Sequence, residues 1–117
     1  MKTLEFTYNW NNKLDCKCFT SIRLSDRYRV GEEFKIILIN KKVPQVKGVA
    51  RIIEIKEFYL HQLNTFIAAL DTGYSVPECK KIIERMYKNT DFENKQLKLI
   101  LFLKIDSKME YKISNSK

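Results

Sequence analysis

Leu97-Lys98-Leu99-Ile100-Leu101-Phe102-Leu103-Lys104-Ile105 places Leu97, Leu99, Leu101, Leu103 and Ile105 on one face of an extended chain. Lys98, Ile100, Phe102 and Lys104 fall on the other. A strand apolar on both faces belongs in the middle of a sheet or barrel. Upstream, Ser75-Val76-Pro77-Glu78 has the form of a capping box, with proline in the first turn where no donor is lost. Cys79, Ile82, Ile83, Met86 and Tyr87 then share one side of the helix it opens. An earlier helix is expected through Leu60, Leu63, Phe66, Ile67 and Leu70, ending at Gly73. Both apolar stripes read as core that covers a sheet.

The N-terminal half reads as strands. Leu4, Phe6, Tyr8 and Trp10 alternate with Thr3, Glu5, Thr7 and Asn9, the pattern of a half-buried strand. Asn9 to Asp15 is a turn or short loop. A second strand is expected over Lys17 to Leu24, with Lys17, Phe19, Ser21 and Arg23 on one face and Cys18, Thr20, Ile22 and Leu24 on the other. A third runs from Glu33 to Ile39. Lys41 to Gly48 reads as a basic loop holding Pro44, and Val49 to Phe58, rich in β-branched residues, as a fourth strand. Met109 to Ile113 adds a last edge strand ahead of a frayed tail. The order is four strands, two helices, then one or two strands. It predicts an α+β fold: a small mixed β-barrel of five to six strands, with two helices inserted between strand four and the late strand. An open sheet with both helices on one face satisfies the same order.

The 117 residues hold one domain, 1–117. The longest apolar run is too short to span a membrane and no secretory signal opens the sequence, so a cytoplasmic location is expected. Cys16, Cys18 and Cys79 fit that compartment as free thiols. With His61 they make a nominal Cys3His set, but it lacks a Cys-x-x-Cys knuckle, so no metal and no other cofactor is expected. His61 itself suits a polar helix face. A net charge of +8, from 22 Lys and Arg against 14 Asp and Glu, favours polyanionic partners. Lys17, Arg23, Arg27, Arg29, Lys35, Lys41, Lys42, Lys47 and Arg51 crowd one segment.

Thr20-Ser21-Ile22-Arg23-Leu24 followed by Tyr28-Arg29-Val30-Gly31-Glu32 resembles the pattern of ASCH domains, a strand ending in Thr-hydrophobic-Arg before a Gly-acid turn. The run Leu70-Asp71-Thr72-Gly73-Tyr74-Ser75, with Lys80 to Tyr87, resembles the helical insert of small single-domain members. The resemblance covers about Leu14 to Lys104. It implies a PUA-like barrel and a role with RNA. One bacterial branch hydrolyses acetylcytidine with a Lys, a Thr and a Glu. By that resemblance Ser21 takes the hydroxyl position and Arg23 the Arg. The Lys position falls on Cys18, beside Lys17, and the Glu position near Thr72, beside Asp71.

Two functions follow as expectations, with a third beside them. The first is an RNA- or nucleotide-binding domain with a basic cleft, drawing on Arg23, Lys17, Thr20, Arg27, Arg29, Lys41, Lys42 and Thr72. The second is an amidohydrolase acting on an acylated nucleoside through Lys17, Ser21 and Asp71. Lys17 and Ser21 stand about 13 Å apart along one strand face, too far for direct contact without a bulge. The third is an interaction protein of phage or mobile-element type with a degenerate cleft. Tyr8 and Trp10 suit base stacking, though their alternation makes them core first. Asp71 and Thr72 also suit a turn between helices.

Overall fold

The structure, a computed structural model, describes residues 1–105. The strand expected at Met109 to Ile113 and the tail beyond it lie outside the described residues. Among the described residues five strands form one mixed sheet: β1 (Lys2–Phe6), β2 (Cys18–Arg23), β3 (Glu33–Asn40), β4 (Val43–Phe58) and β5 (Leu97–Ile105). Their spatial order is β1-β3-β4-β5-β2, with β1 parallel to β3 and the other pairs antiparallel. Two helices, α1 (Thr65–Asp71) and α2 (Val76–Met86), stand between β4 and β5 in the chain.

β5 occupies the central place its two apolar faces demand, between β4 and β2. Ile100 and Phe102 point into one core with Leu4, Phe19, Phe34, Ile36, Ala50 and Ile52. Leu97 points to the other, where Ile22, Phe58, Leu60, Leu63, Ala68, Cys79 and Ile83 pack beneath the helices. One face of the strand is thus buried through Ile100 and Phe102, and the other is buried at Leu97 and half-buried from Leu99 to Ile105, so neither face calls for polar residues.

Among the described residues the barrel is not closed. β1 and β2 are the two edges of the ladder and do not pair with each other. The sheet nevertheless curls until these edges face one another, with the Phe6 and Phe19 rings 6.0 Å apart. Two irregularities in the longest strand drive the curl. The register of β3 on β4 shifts between Ile36 and Ile37, opposite Gly48 (φ 118°). That of β4 on β5 shifts at Ile52/Glu54. An extra residue in one strand bends it and increases its twist. The second bulge also turns Ile53 outward, against its expected place in an apolar run.

Three local expectations are corrected. The basic loop at Lys41 to Gly48 is a tight hairpin: Asn40 pairs with Val43, and Lys41 and Lys42 alone make the turn at φ 52° and 67°. Two positive-φ residues give the strand twist of a primed turn, a conformation lysine adopts at a cost. Replacing Lys41-Lys42 by Asn-Gly should therefore stabilise the fold by about 1–2 kcal/mol, read as a raised urea midpoint with unchanged slope.

The first helix is broken. A 3₁₀ turn at Leu60–Gln62 precedes α1, which Asn64 caps by accepting from the Ile67 N–H at 2.9 Å. The break resets the helical phase, so Ala68 and Asp71 face inward while Phe66 and Leu70 are exposed. At α2 the expected start is right, but Ser75 Oγ donates to Glu78 Oε1 at 3.0 Å and its side chain makes no bond to the helix backbone. Among the described residues, no helix is long and apolar enough to cross a membrane.

Candidate functional site

The gap between β1 and β2 is where side chains gather. Beyond β1 the strand pattern fails: Tyr8 is 59% exposed, and its ring stacks on Trp10 at 5.1 Å and 21°. The chain then makes a 3₁₀ turn over Trp10–Asp15. Asn9 Oδ1 accepts from the Leu14 N–H at 2.8 Å, and Asn11 and Asn12 take left-handed backbone at φ 58° and 52°. Asparagine tolerates that region better than other β-carbon residues. The turn drives Lys13 and Leu14 inward, and Lys13 is 6% exposed.

Lys13 Nζ donates to Asp71 Oδ1 at 3.0 Å, and Thr20 Oγ1 donates to the same oxygen at 2.9 Å. Asp71, the last residue of α1, is itself buried. The Lys13 ammonium lies 5.8 Å from the Phe6 ring centroid and 5.9 Å from that of Trp10, a favourable place for a desolvated cation. Burial pushes the Lys13 ammonium below the usual lysine value, while the Asp71 charge and hydrogen bond pull it back up. A buried charge pair of this kind is retained at a desolvation cost, so its position at a cleft is informative.

Arg23 closes the gap from the β2 side. Its Nε donates to Ser21 Oγ at 2.8 Å and its Nη2 to the Glu5 carbonyl of β1 at 3.2 Å, with the guanidinium 4.7 Å from the Phe6 ring centroid. Nη1 has no protein partner among the described residues. Tyr87, at the end of α2, donates its hydroxyl to the Ile22 carbonyl at 3.3 Å. Lys13, Ser21, Arg23, Asp71, Trp10 and Tyr87 thereby line one cavity of about 190 Å3.

The expected residues divide sharply. Ser21, Arg23, Asp71 and Thr72 line the cavity, and Thr20 is bonded to its carboxylate. Lys17 does not join them: it precedes β2, is exposed, and uses its carbonyl to accept from the Lys104 N–H at 2.8 Å. Lys13, and not Lys17, stands next to Asp71. Its signal was the left-handed Asn-Asn pair, which turns the chain before β2 begins. Arg29 is spent on its own loop, donating to the Asp26 and Tyr28 carbonyls. Arg27 lies over the Tyr28 ring at 5.8 Å, and Lys41 and Lys42 cap a distant hairpin; none lines the cavity. The Thr72 hydroxyl donates to the Ala68 carbonyl and accepts from the Tyr74 N–H, so it chiefly ends α1.

No protein-family model, curated protein or solved structure matches this chain.

The cysteines lie apart. Cys16 and Cys18 are exposed beside the start of β2, while Cys79 is wholly buried under the helices. Burial raises the Cys79 thiol above its ordinary value. Among the described residues no cluster of His, Cys, Asp and Glu is placed to hold a metal ion. Under native conditions iodoacetamide should modify Cys16 and Cys18 within minutes and spare Cys79, since the thiolate is the reactive form. Mass spectrometry of peptides checks this; equal labelling of Cys79 would mean that the helical layer opens readily.

Proposed function

We propose that the chain is a nucleoside- or nucleotide-binding domain whose ligand enters the cavity between β1 and β2. One observation carries the reading: a buried Lys13–Asp71–Thr20 network, the Arg23 guanidinium and the Trp10 ring border a single small cavity. A planar base presents π faces and a mixed edge of donors and acceptors, and this wall offers an aromatic face, an ammonium, a guanidinium edge and a carboxylate. The cavity suits one base better than a duplex, because convergent polar groups in a small concave site fix a compact ligand. The resemblance of Thr20 to Glu32 to ASCH domains supports the same reading, and with it a PUA-like ancestry for the curled sheet.

Arg23→Ala should weaken binding of cytidine monophosphate about tenfold, or about 1.4 kcal/mol, by calorimetric titration. Raising salt should weaken binding of the monophosphate in the wild type and in the variant alike. Equal affinity of the two proteins would contradict the assignment of Arg23.

A second reading has its own observation: Lys13 Nζ and Asp71 Oδ1 are 3.0 Å apart at the cavity wall. In an amide hydrolysis Asp71 would take a proton from the attacking water. Lys13 would give one to the leaving amine as the carbon–nitrogen bond breaks, and Asp71 would then restore it. Ser21, the nucleophile expected from sequence, is engaged by Arg23 and is not required in this scheme. Incubation with acetylcytidine and chromatographic detection of cytidine decides it. Product that disappears in Asp71→Asn supports hydrolysis; unchanged substrate removes this reading and leaves binding standing.

A further inference from the structure

The inner cavity continues past Trp10. Tyr8, Trp10, Ile82 and Met86 also line a second, more open hollow of about 530 Å3 along α2. Its remaining wall includes Tyr74, Glu78, Lys81 and Arg85. Lys81 and Arg85 are four residues apart and so lie on one side of the helix.

Three features of this hollow belong together. Large apolar side chains gathered on a surface usually mark a binding site. Here Tyr8, Tyr74 and Met86 are 59%, 43% and 52% exposed, and all three border the hollow. The Tyr8 and Trp10 rings are already stacked, presenting a flat π surface at the boundary between the two cavities. Among the described residues neither Lys81 nor Arg85 forms an ion pair, and the nearby Glu78 accepts from Ser75. A stacking platform beside unneutralised cations is the chemistry that holds single-stranded nucleic acid, since every base has a π face and every link a phosphate.

We infer that this hollow is a second subsite for the adjoining nucleotide of a single strand whose first nucleoside occupies the inner cavity. Tyr8 stacks the second base on its outer face, and Lys81 and Arg85 meet the linking phosphate. The inference rests on the nucleoside reading above and adds a minimum length: the ligand is at least a dinucleotide.

Titration of cytidine, cytidine monophosphate and the dinucleotide of two cytidines separates the contributions. For the wild type the dinucleotide should bind at least tenfold more tightly than cytidine, with a gain at each step. Lys81→Ala/Arg85→Ala should abolish the gain from cytidine to its monophosphate. Tyr8→Ala should abolish the gain from monophosphate to dinucleotide. All three positions are exposed, and matched thermal melts confirm that the variants fold. A dinucleotide that binds no better than the monophosphate overturns the inference while leaving the inner site intact. So do variants that weaken all three ligands by one common factor. If none of the three ligands binds, the nucleoside reading falls as well.

Discussion

Asp71→Ala should destabilise the fold by about 3–5 kcal/mol, because it leaves the Lys13 ammonium buried without a counter-charge. The melting temperature should fall by roughly 10–20 °C. The side chain accepts from both Lys13 and Thr20, so its loss strands two donors at once. Removing both charges is a different experiment. Lys13→Met/Asp71→Leu fills much the same space without a charge, and should come within about 1 kcal/mol of the wild type or exceed it. That outcome would separate the role of the pair in binding from its role in folding, since the double variant keeps the fold and loses the polar wall. A double variant as unstable as Asp71→Ala would mean that the pair is needed for the fold itself.

The same pair has a pH signature. Lys13 has its folded-state value lowered, so in the alkaline range below 10.5 the unfolded chain holds a proton that the folded chain has released. Stability from this group therefore rises as pH climbs from the folded value towards 10.5, and is flat below it. Tyr87 acts with the opposite sign, because burial pushes its hydroxyl above the ordinary 10.0 and its contribution declines as pH rises past that value. Subtracting the pH profile of Lys13→Met, which retains Tyr87, isolates the Lys13 slope. A difference curve that is flat or falls would contradict the stated sign.

Phe102→Ala is the second large effect expected, at about 3–5 kcal/mol. Phe102 is fully buried on the central strand, stacked on Phe19 at 5.1 Å and 12° and edge-on to Phe34 at 6.4 Å. It joins β5 to the edge strand β2, whose only ladder partner among the described residues is β5. The void would therefore loosen the strand that carries Thr20, Ser21 and Arg23, and nucleotide affinity should fall together with the urea midpoint. Phe102→Leu, which retains most of the volume, should recover much of both. Full affinity in the alanine variant would show that β2 is held in place by other contacts.

Sheet and helices were legible wherever one periodicity ran uninterrupted. Alternation alone delimits β5, and Ser75-Val76-Pro77-Glu78 marks the start of α2; the helix ends at Met86, one residue before the Tyr87 of its expected stripe. The misses came where a local backbone event resets the phase. The break between Gln62 and Thr65 moves Phe66 and Leu70 outward, and bulges bend β4 in ways that composition does not reveal. Closure of the barrel depends on that curl, and among the described residues it stops with the edge strands facing each other and not paired to each other. For the site, Ser21, Arg23 and Asp71 were expected through the resemblance to ASCH domains, and the three line one cavity. Lys13 was not, because its position depends on two asparagines in left-handed backbone, which no periodicity marks. Trp10 had two readings in the sequence, core or stacking surface, and the end of β1 at Phe6 places its ring at the cavity.

The chain has one tryptophan, and it lines both hollows, which gives the central claim a direct probe. Titrating cytidine monophosphate while following Trp10 fluorescence should give a saturable change that fits one site, with Arg23→Ala shifting the midpoint about tenfold to higher concentration. Fluorescence that changes only linearly with absorbance, in wild type and variant alike, would contradict a nucleotide site between β1 and β2.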